Sequence, residues 1–378
     1  MLKNMNKTTK NNMITYLMVI VVYAVIQVLV TSGSLSSLFT GLLVPICTYI
    51  ILAISLNLVV GFLGELSLGH AGFMCIGAFT SAFFSKCMKG VIEPDLLRFM
   101  IALLIGAVCA GIFGILIGIP VLRLNGDYLA IVTLAFGEII KNVINVFYIG
   151  KDSKGFHFSM KDSVSLNMEP DGKILLNGPQ GISGTPKDST FTIGFILILI
   201  TLVIVLNLIS SRTGRAIMAI RDDRIAAESI GINITKYKLI AFSLSAAIAG
   251  MAGVLYSHNL SSLMATPQNF GYNMSIMILV FVVLGGIGSV RGSIIAAAIL
   301  TLLPELLRGL SNYRMLIYAI VLIVMMLFNW APKAIEWREK HLAKFKQKKA
   351  VKEEAQDGII RCKKSVHFLR RTACSRRV

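Results

Sequence analysis

Ten runs of about 17 to 21 residues in this chain are almost wholly apolar, and an α-helix of ~20 residues is what crosses the hydrocarbon core of a bilayer. They fall at about 14–30, 41–60, 66–85, 99–118, 128–148, 191–209, 239–257, 274–290, 292–308 and 313–330. Lipid offers no partner to a free backbone N–H or C=O, so such runs are read as helices. The composition agrees, with 55% hydrophobic and only 15% charged residues and a mean hydropathy of +0.75. The expectation is an all-α, polytopic transmembrane helical bundle of about ten spans. The range is nine to eleven, because three runs are interrupted. The run 66–85 contains "SLGHAG", 128–148 carries Glu138, Lys141 and Asn142, and 292–308 holds Pro304 and Glu305.

A formal charge of +18 would ordinarily suggest nucleic acid, but its distribution rejects that partner. Residues 331–378 carry 15 Lys/Arg against 5 Asp/Glu, a net +10 lying directly after the last apolar run. Basic clusters beside spans mark the cytoplasmic face and attract anionic lipid. Lys3, Lys7 and Lys10 precede span one, Arg123 follows span four, and Arg212, Arg215, Arg221, Arg224, Lys236 and Lys238 follow span six. An even number of spans puts all of these, and both termini, in the cytoplasm. The chain then divides into a cytoplasmic N-terminus at 1–13, a transmembrane domain at 14–330 and a basic cytoplasmic tail at 331–378. Within that domain, 149–190 is an external loop with five Lys against five acids, and 210–238 is a cytoplasmic loop. The N-terminal "MLKNMNKTTKNNM" has no small-residue cleavage site after it, so the first run is read as retained. Ten spans also suit a five-plus-five inverted repeat.

Cys47, Cys75, Cys87, Cys109, Cys362 and Cys374 are scattered, with neither metal spacing nor a disulfide pattern. Gly-Lys occurs at 150–151 and 172–173, followed by Asp and Ile where a phosphate-binding loop needs Ser or Thr. With no nucleophile elbow and no zinc spacing either, the chain is read as not being an enzyme and as holding no metal or cofactor.

The one long charged stretch between spans is "GRAIMAIRDDRIAAESIGINITKYK" at 214–238. Ile217, Ile220, Ala227 and Ile230 share a helical spacing. Asp222 or Asp223 suits the N-cap of a short helix over 224–230, and Gly231 its left-handed stop. Such a capped amphipathic element either lies on lipid headgroups or docks a cytosolic protein. It resembles the cytoplasmic loop by which permeases of ABC importers engage their ATPases, whose pattern is Glu-Ala-Ala and, after three residues, Gly. Ala226, Ala227 and Gly231 match; Ile225 stands where the pattern has Glu, and the acid is Glu228.

Four further stretches are similar to one branch of that family, the permeases for branched-chain amino acids. They are "LNLVVGFLGELSLGHAGF" (56–73), "NGDYLAIVTLAFGEI" (125–139), "NGPQGISG" (177–184) and "VLGGIGSVRGS" (283–293). The resemblance spans about 41–340. It implies pairing with a second permease, two cytosolic ATPases that bind ATP and magnesium, and an external binding protein delivering leucine, isoleucine or valine. The setting implied is the bacterial inner membrane. Arg215, Arg221, Asp222, Asp223 and Glu228 would then supply polar coupling contacts, with Ala226, Ala227 and Gly231 permitting close docking. Related permeases serve urea, short amides or sugars, so the substrate has these alternatives. A different class, a self-sufficient secondary transporter or channel, would need ion-coupling acids at midplane, where Glu138 alone can be nominated.

The remaining motifs carry two readings each. "GELSLGHAG" (64–72) is too polar to face lipid, so it faces protein, water or substrate. A broken helix there would turn free N–H groups into the core, where they suit a carboxylate. Ser67 and His70 are pathway candidates, with Asn57 one helix earlier as a possible partner of His70, although a lone His is more commonly structural. Glu138 and Asn142 share a face of span five and either line the pathway or, for Glu138, pair with Lys141 at i, i+3. In "GGIGSVRG" (285–292) the glycine spacing misses the dinucleotide fingerprint; the glycines make a tight turn between spans eight and nine or let helices pack closely, with Arg291 as an interfacial anchor, or the turn is a second contact with the ATPases.

Overall fold

The computed structural model describes residues 7–330, apart from Leu35, Asn125, Ser153, 169–171 and 308–312. The basic tail at 331–378 and the first six residues of the N-terminal segment lie outside the described residues. Thirteen α-helices run α1 (Lys7–Thr31), α2 (Ser37–Asn57), α3 (His70–Cys87), α4 (Asp95–Val121), α5 (Asp127–Val146), α6 (Phe191–Ser210), α7 (Arg212–Asp222), α8 (Arg224–Ser229), α9 (Ile234–Ser257), α10 (Pro267–Phe270), α11 (Tyr272–Gly285), α12 (Val290–Leu306) and α13 (Arg314–Trp330). Every one of the ten apolar runs holds a helix. Seven stretches among the described residues are long and apolar enough to span: 12–31, 37–63, 95–121, 127–146, 191–210, 234–257 and 267–285. The helices of the other three runs are shorter. α12 and α13 have 17 residues each, or ~26 Å of helix against a ~30 Å core. α3 has 18 residues, mostly buried, and a helix wrapped in protein need not be uniformly apolar. Residues 1–311 form one compact unit, and α13 belongs to a second, 312–378.

The core of the first unit is α3, α4 and α9, which approach closely because small residues line the contacts. Gly106, Ala110, Gly114 and Gly118 recur every four residues on α4, so they share one face, and all four are buried. A Cβ on Gly250 of α9 would sit 2.5 Å from that of Ala110, and one on Gly77 of α3 would sit 2.5 Å from the Cα of Gly250. Between lipid-soluble helices there is no water to expel, so this backbone-level packing supplies the attraction that apolar burial supplies in water. α2 packs on α9, α6 and α12, and its second half is buried almost without interruption.

The chain is not wholly α. Strand β1 (Tyr148–Asp152) is flanked antiparallel by β2 (Gly155–Ser159) and β3 (Lys173–Asn177). The turn into β2 is held by Asp152 Oδ1, which accepts from the N–H of Lys154 and Gly155 at 2.8 and 3.1 Å. A second pair joins β4 (Ile182–Ser183) to β5 (Ser262–Leu263). Within 149–190, "GFHFS" alternates with period two, and its partner strand supplies the hydrogen bonds of an ordered element. Lys86 at the end of α3 donates to the Ile174 and Leu175 carbonyls, and Arg98 of α4 bridges Asp95 and Asp188 at 2.7 and 2.8 Å. The sheet and the segment before α6 are thereby tied to the same end of the bundle.

Candidate functional site

The apolar run 66–85 is broken at its start, as its glycines and polar groups suggested. α2 widens after Asn57 into a π-turn, Leu58–Leu63, and stops at Gly64 with φ +80; residues 64–69 are not helical, and α3 begins at His70. Polar side chains of neighbouring helices take up what the break leaves free. The Leu68 N–H donates to Thr133 Oγ1 of α5 at 3.0 Å and the Ala71 N–H to Ser275 Oγ of α11 at 3.3 Å. Gly69 and Gly72 let α5 approach: a Cβ on Gly69 would lie 2.7 Å from the Thr133 carbonyl oxygen, and one on Gly72 would lie 2.7 Å from the Cα of Gly137. Lys238 of α9 forms a buried ion pair with Glu65. In a low dielectric such a pair persists only when both charges are met.

His70 and Asn57 are both buried, but they do not pair, which corrects the partnership anticipated between them. His70 Nε2 lies 2.8 Å from Ser245 Oγ, and Ser245 in turn exchanges hydrogen bonds with Ser55 at 2.7 Å. Asn57 Nδ2 donates to Ser293 Oγ at 3.1 Å, and its Oδ1 accepts the Gly288 N–H at 2.9 Å. Two nearby atoms are left over: among the described residues, Ser67 Oγ and His70 Nδ1 are buried without a hydrogen-bond partner. A buried orphan of this kind costs ~1–3 kcal/mol, so two within four residues call for an explanation.

On α5, Glu138 pairs with Lys141 as the i, i+3 spacing anticipates, and its second oxygen accepts the Tyr272 N–H at 2.7 Å. One carboxylate thus neutralises the buried Lys141 and caps the N-terminus of α11, where a negative charge also meets the helix dipole. Asn142, four residues on, is exposed beside Ile139, Val143 and Val146. A polar side chain on the apolar surface of a span faces another protein or water rather than lipid. By contrast, a cavity of about 580 Å³ between α3, α4 and α5 is lined almost wholly by apolar side chains such as Phe83, Phe84, Phe113 and Phe147.

The charged island forms two helices rather than one. Asp223 ends α7 and N-caps α8, its Oδ1 accepting from the N–H of Ile225 and Ala226 at 2.9 and 3.0 Å, and Gly231 follows at φ +86. Ile217, Ile220 and Ala227 are buried, and the last two form a small core with Ile234. Ile230 departs from that face: it is 75% exposed, as Ile225 is 80% exposed, because the break at Asp223 resets the axis and the spacing no longer carries across it. Arg215, Ala226 and Glu228 are exposed too, and nothing lies within 4 Å of where a Cβ on Gly231 would stand. Arg221 and Asp222 hold each other, Nη2 to Oδ1 at 2.8 Å, and Arg221 Nη1 reaches the Gly61 carbonyl of the π-turn at 3.0 Å. The 285–292 turn is tight as anticipated, with Gly286 and Gly288 at φ +94 and +80, while Arg291 Nε donates to Thr15 Oγ1 of α1 at 2.6 Å. Glu65, Ser245, Ser275 and Thr133 were not singled out in the sequence, and Lys238 only as one of the basic residues after span six; a lone charge or hydroxyl next to an apolar run was the only local trace of them.

Residues 37–328 match the family described as branched-chain amino acid transport system / permease component. Two similar proteins are the high-affinity branched-chain amino acid transport system permease proteins LivM of Salmonella typhimurium and Escherichia coli. The first is 34% identical over 316 residues, 81% of this chain and 72% of the relative; the second is 36% identical over 296 residues, 76% and 67%. The fructose import permease protein FruG of Bifidobacterium longum is 28% identical over 296 residues, 77% of this chain and 79% of the relative. No solved structure matches the chain.

Proposed function

The chain belongs to the branched-chain amino acid transport system permease family, and we infer from that membership that it is the transmembrane permease subunit of an ABC importer for leucine, isoleucine and valine. The observation that carries this reading is the 34–36% identity to two LivM proteins over about four-fifths of the chain, against 28% to a sugar permease over a similar length. It is a multi-pass membrane protein of a transporter family, not an enzyme family. The finer picture is our proposal: ten spans in a bacterial inner membrane, both termini and the 210–238 loop cytoplasmic, and 149–190 external. A second permease, two ATPases that bind ATP and magnesium, and an external binding protein complete the machine.

In that machine α8 is the docking element. The exposed Ile225 and Ile230 flank its small Ala226, with Glu228 beside them, and this is the chemistry of a protein-facing surface with a polar rim. Arg215, Asp222, Asp223, Ala227 and Gly231 shape or orient that surface. Ser67, His70, Glu138, Asn142 and Asn57 remain the pathway candidates. The orphaned Ser67 and His70 atoms support this for the break before α3, since polar groups without partners in one conformation are available to substrate in another. The test is uptake in cells lacking the endogenous transporter. Labelled leucine should enter when this chain is present with its partners, and unlabelled isoleucine and valine should compete. Competition by fructose or urea in their place would assign the chain to another substrate.

A further inference from the structure

The last carbonyls of a helix have no intrahelical donors, and within a membrane each must find one elsewhere. α2 leaves several at once, because it ends through the π-turn Leu58–Leu63 and the left-handed Gly64. One of these, the Gly61 carbonyl, is met by Arg221 Nη1 at 3.0 Å, from a residue 160 positions away in the island. The remaining guanidinium nitrogens are not idle: Nε and Nη2 donate to Asp222 Oδ1 at 3.1 and 2.8 Å. The planar fork is therefore anchored to the island on one edge and to the broken helix on the other. The side chain also lies close against the break, since a Cβ on Gly64 would stand 2.5 Å from Arg221 Cγ. Positive charge at the carboxyl end of a helix is favourable in its own right.

The same short segment is gripped at two other points. Asn57 Oδ1 holds the Gly288 N–H, and a Cβ on Gly61 would lie 2.5 Å from that nitrogen; Glu65 is paired with Lys238 of α9. Residues 57–65 are thus clasped by α7, by the turn before α12 and by α9. Three residues beyond Gly64 comes Ser67, and three further on His70, each with a buried polar atom that has no hydrogen-bond partner. A displacement of the segment changes the surroundings of just those groups.

We propose that the Arg221–Gly61 bond is the link that transmits movement of the α7–α8 island to the unwound segment 58–69, making Arg221 a positioning residue rather than an ATPase contact. This rests on the reading that α8 docks an ATPase. The exposed Ile225 and Ile230 are free to meet that partner, whereas Arg221, although its side chain is 39% exposed, commits its guanidinium donors to the Gly61 carbonyl and Asp222. A lysine could reach one carbonyl but could not bridge Asp222 and Gly61 in the same rigid geometry.

The test uses the whole complex, purified in mild detergent from native membranes through a tag on this chain and then reconstituted. Three quantities are read: ATPase recovered per tagged chain, ATP hydrolysed, and leucine moved per ATP. Arg221→Ala should keep the ATPase and its hydrolysis while the leucine moved per ATP falls roughly 5- to 150-fold, the usual span of a coupling free energy. Arg221→Lys should recover part of the loss, which a purely structural role would not require. Ile225→Asp should instead lose the ATPase. If Arg221→Ala fails to accumulate, Asp222→Ala leaves the guanidinium in place, removes the acceptor that anchors its other edge, and should lower the same ratio to a lesser degree. A wild-type ratio in Arg221→Ala, or in Asp222→Ala where the former does not accumulate, overturns the inference. So does loss of the ATPase from Arg221→Ala, which would make it a docking contact. A wild-type chain that purifies with no ATPase overturns the docking reading and the inference with it.

Discussion

Glu138 serves two masters, the buried Lys141 ammonium and the first N–H of α11, and replacing it separates them. In Glu138→Gln the amide oxygen can still accept from Tyr272, but Lys141 is left as an uncompensated buried charge, at a cost of about 3 kcal/mol. The thermal midpoint of the detergent-solubilised protein should fall. Adding Lys141→Met should restore most of the stability. If the double variant is stable yet transports no leucine, Glu138 also acts in the pathway; if it transports normally, the pair is structural. At Gly231 the open space and the left-handed backbone give a cleaner experiment. Gly231→Asn should keep uptake, because Asn tolerates that conformation, whereas Gly231→Arg should insert normally and lose uptake by obstructing a partner. Equal uptake by both variants would remove the island from coupling. The Glu138–Lys141 pair and the Asp223 cap were legible in the sequence because their partners lie three residues or fewer away. Arg221–Gly61 and Asn57–Gly288 were not, since 160 and 231 residues separate them and neither member has an alternative that spacing excludes.

Among the elements, the helices were legible and their interruptions nearly so. An apolar run of bilayer length leaves a chain in lipid few choices, and the Gly-Ser-His content of 64–72 marked where the helix must stop. The sheet was hidden for the opposite reason. Its strands have five residues each, and β1 pairs with β3 across more than twenty intervening positions, so the brief alternation of "GFHFS" was too short to announce a sheet. α8 has only six residues and depends on its cap. Asp223→Ala should cost about 1 kcal/mol locally. Faster amide exchange at Ile225 and Ala226, with uptake reduced in parallel, is the expected result; unchanged exchange would show that the fused end of α7 suffices to hold it. The contact between α4 and α9 is the less forgiving element. Gly250→Val would drive a side chain into Ala110 and the Gly106 carbonyl, 2.5 and 2.8 Å from the first added carbon. Because backbone cannot yield as a flexible side chain does, the expected cost is at least the ~1–3 kcal/mol of ordinary overpacking. Little or no folded protein in the membrane fraction would be the readout, while normal accumulation would mean the helices can part without penalty.

For the molecule as a whole, the parts describe a permease-family chain with a glycine-packed trio of helices and, beside it, a broken helix clasped by the charged island. Alternating access asks for that division, since something must stay fixed while the segment around the substrate moves. The cavities among the described residues are lined almost wholly by apolar side chains, whereas the break before α3 holds two buried polar atoms without a partner, Ser67 Oγ and His70 Nδ1. The measurement that tests this account most directly is leucine uptake into liposomes carrying the purified complex, with binding protein outside and ATP enclosed. Uptake that requires enclosed ATP and persists when ion gradients are collapsed is the predicted result. Uptake that proceeds equally without ATP, or follows an imposed ion gradient, would contradict it and make the chain a self-sufficient transporter.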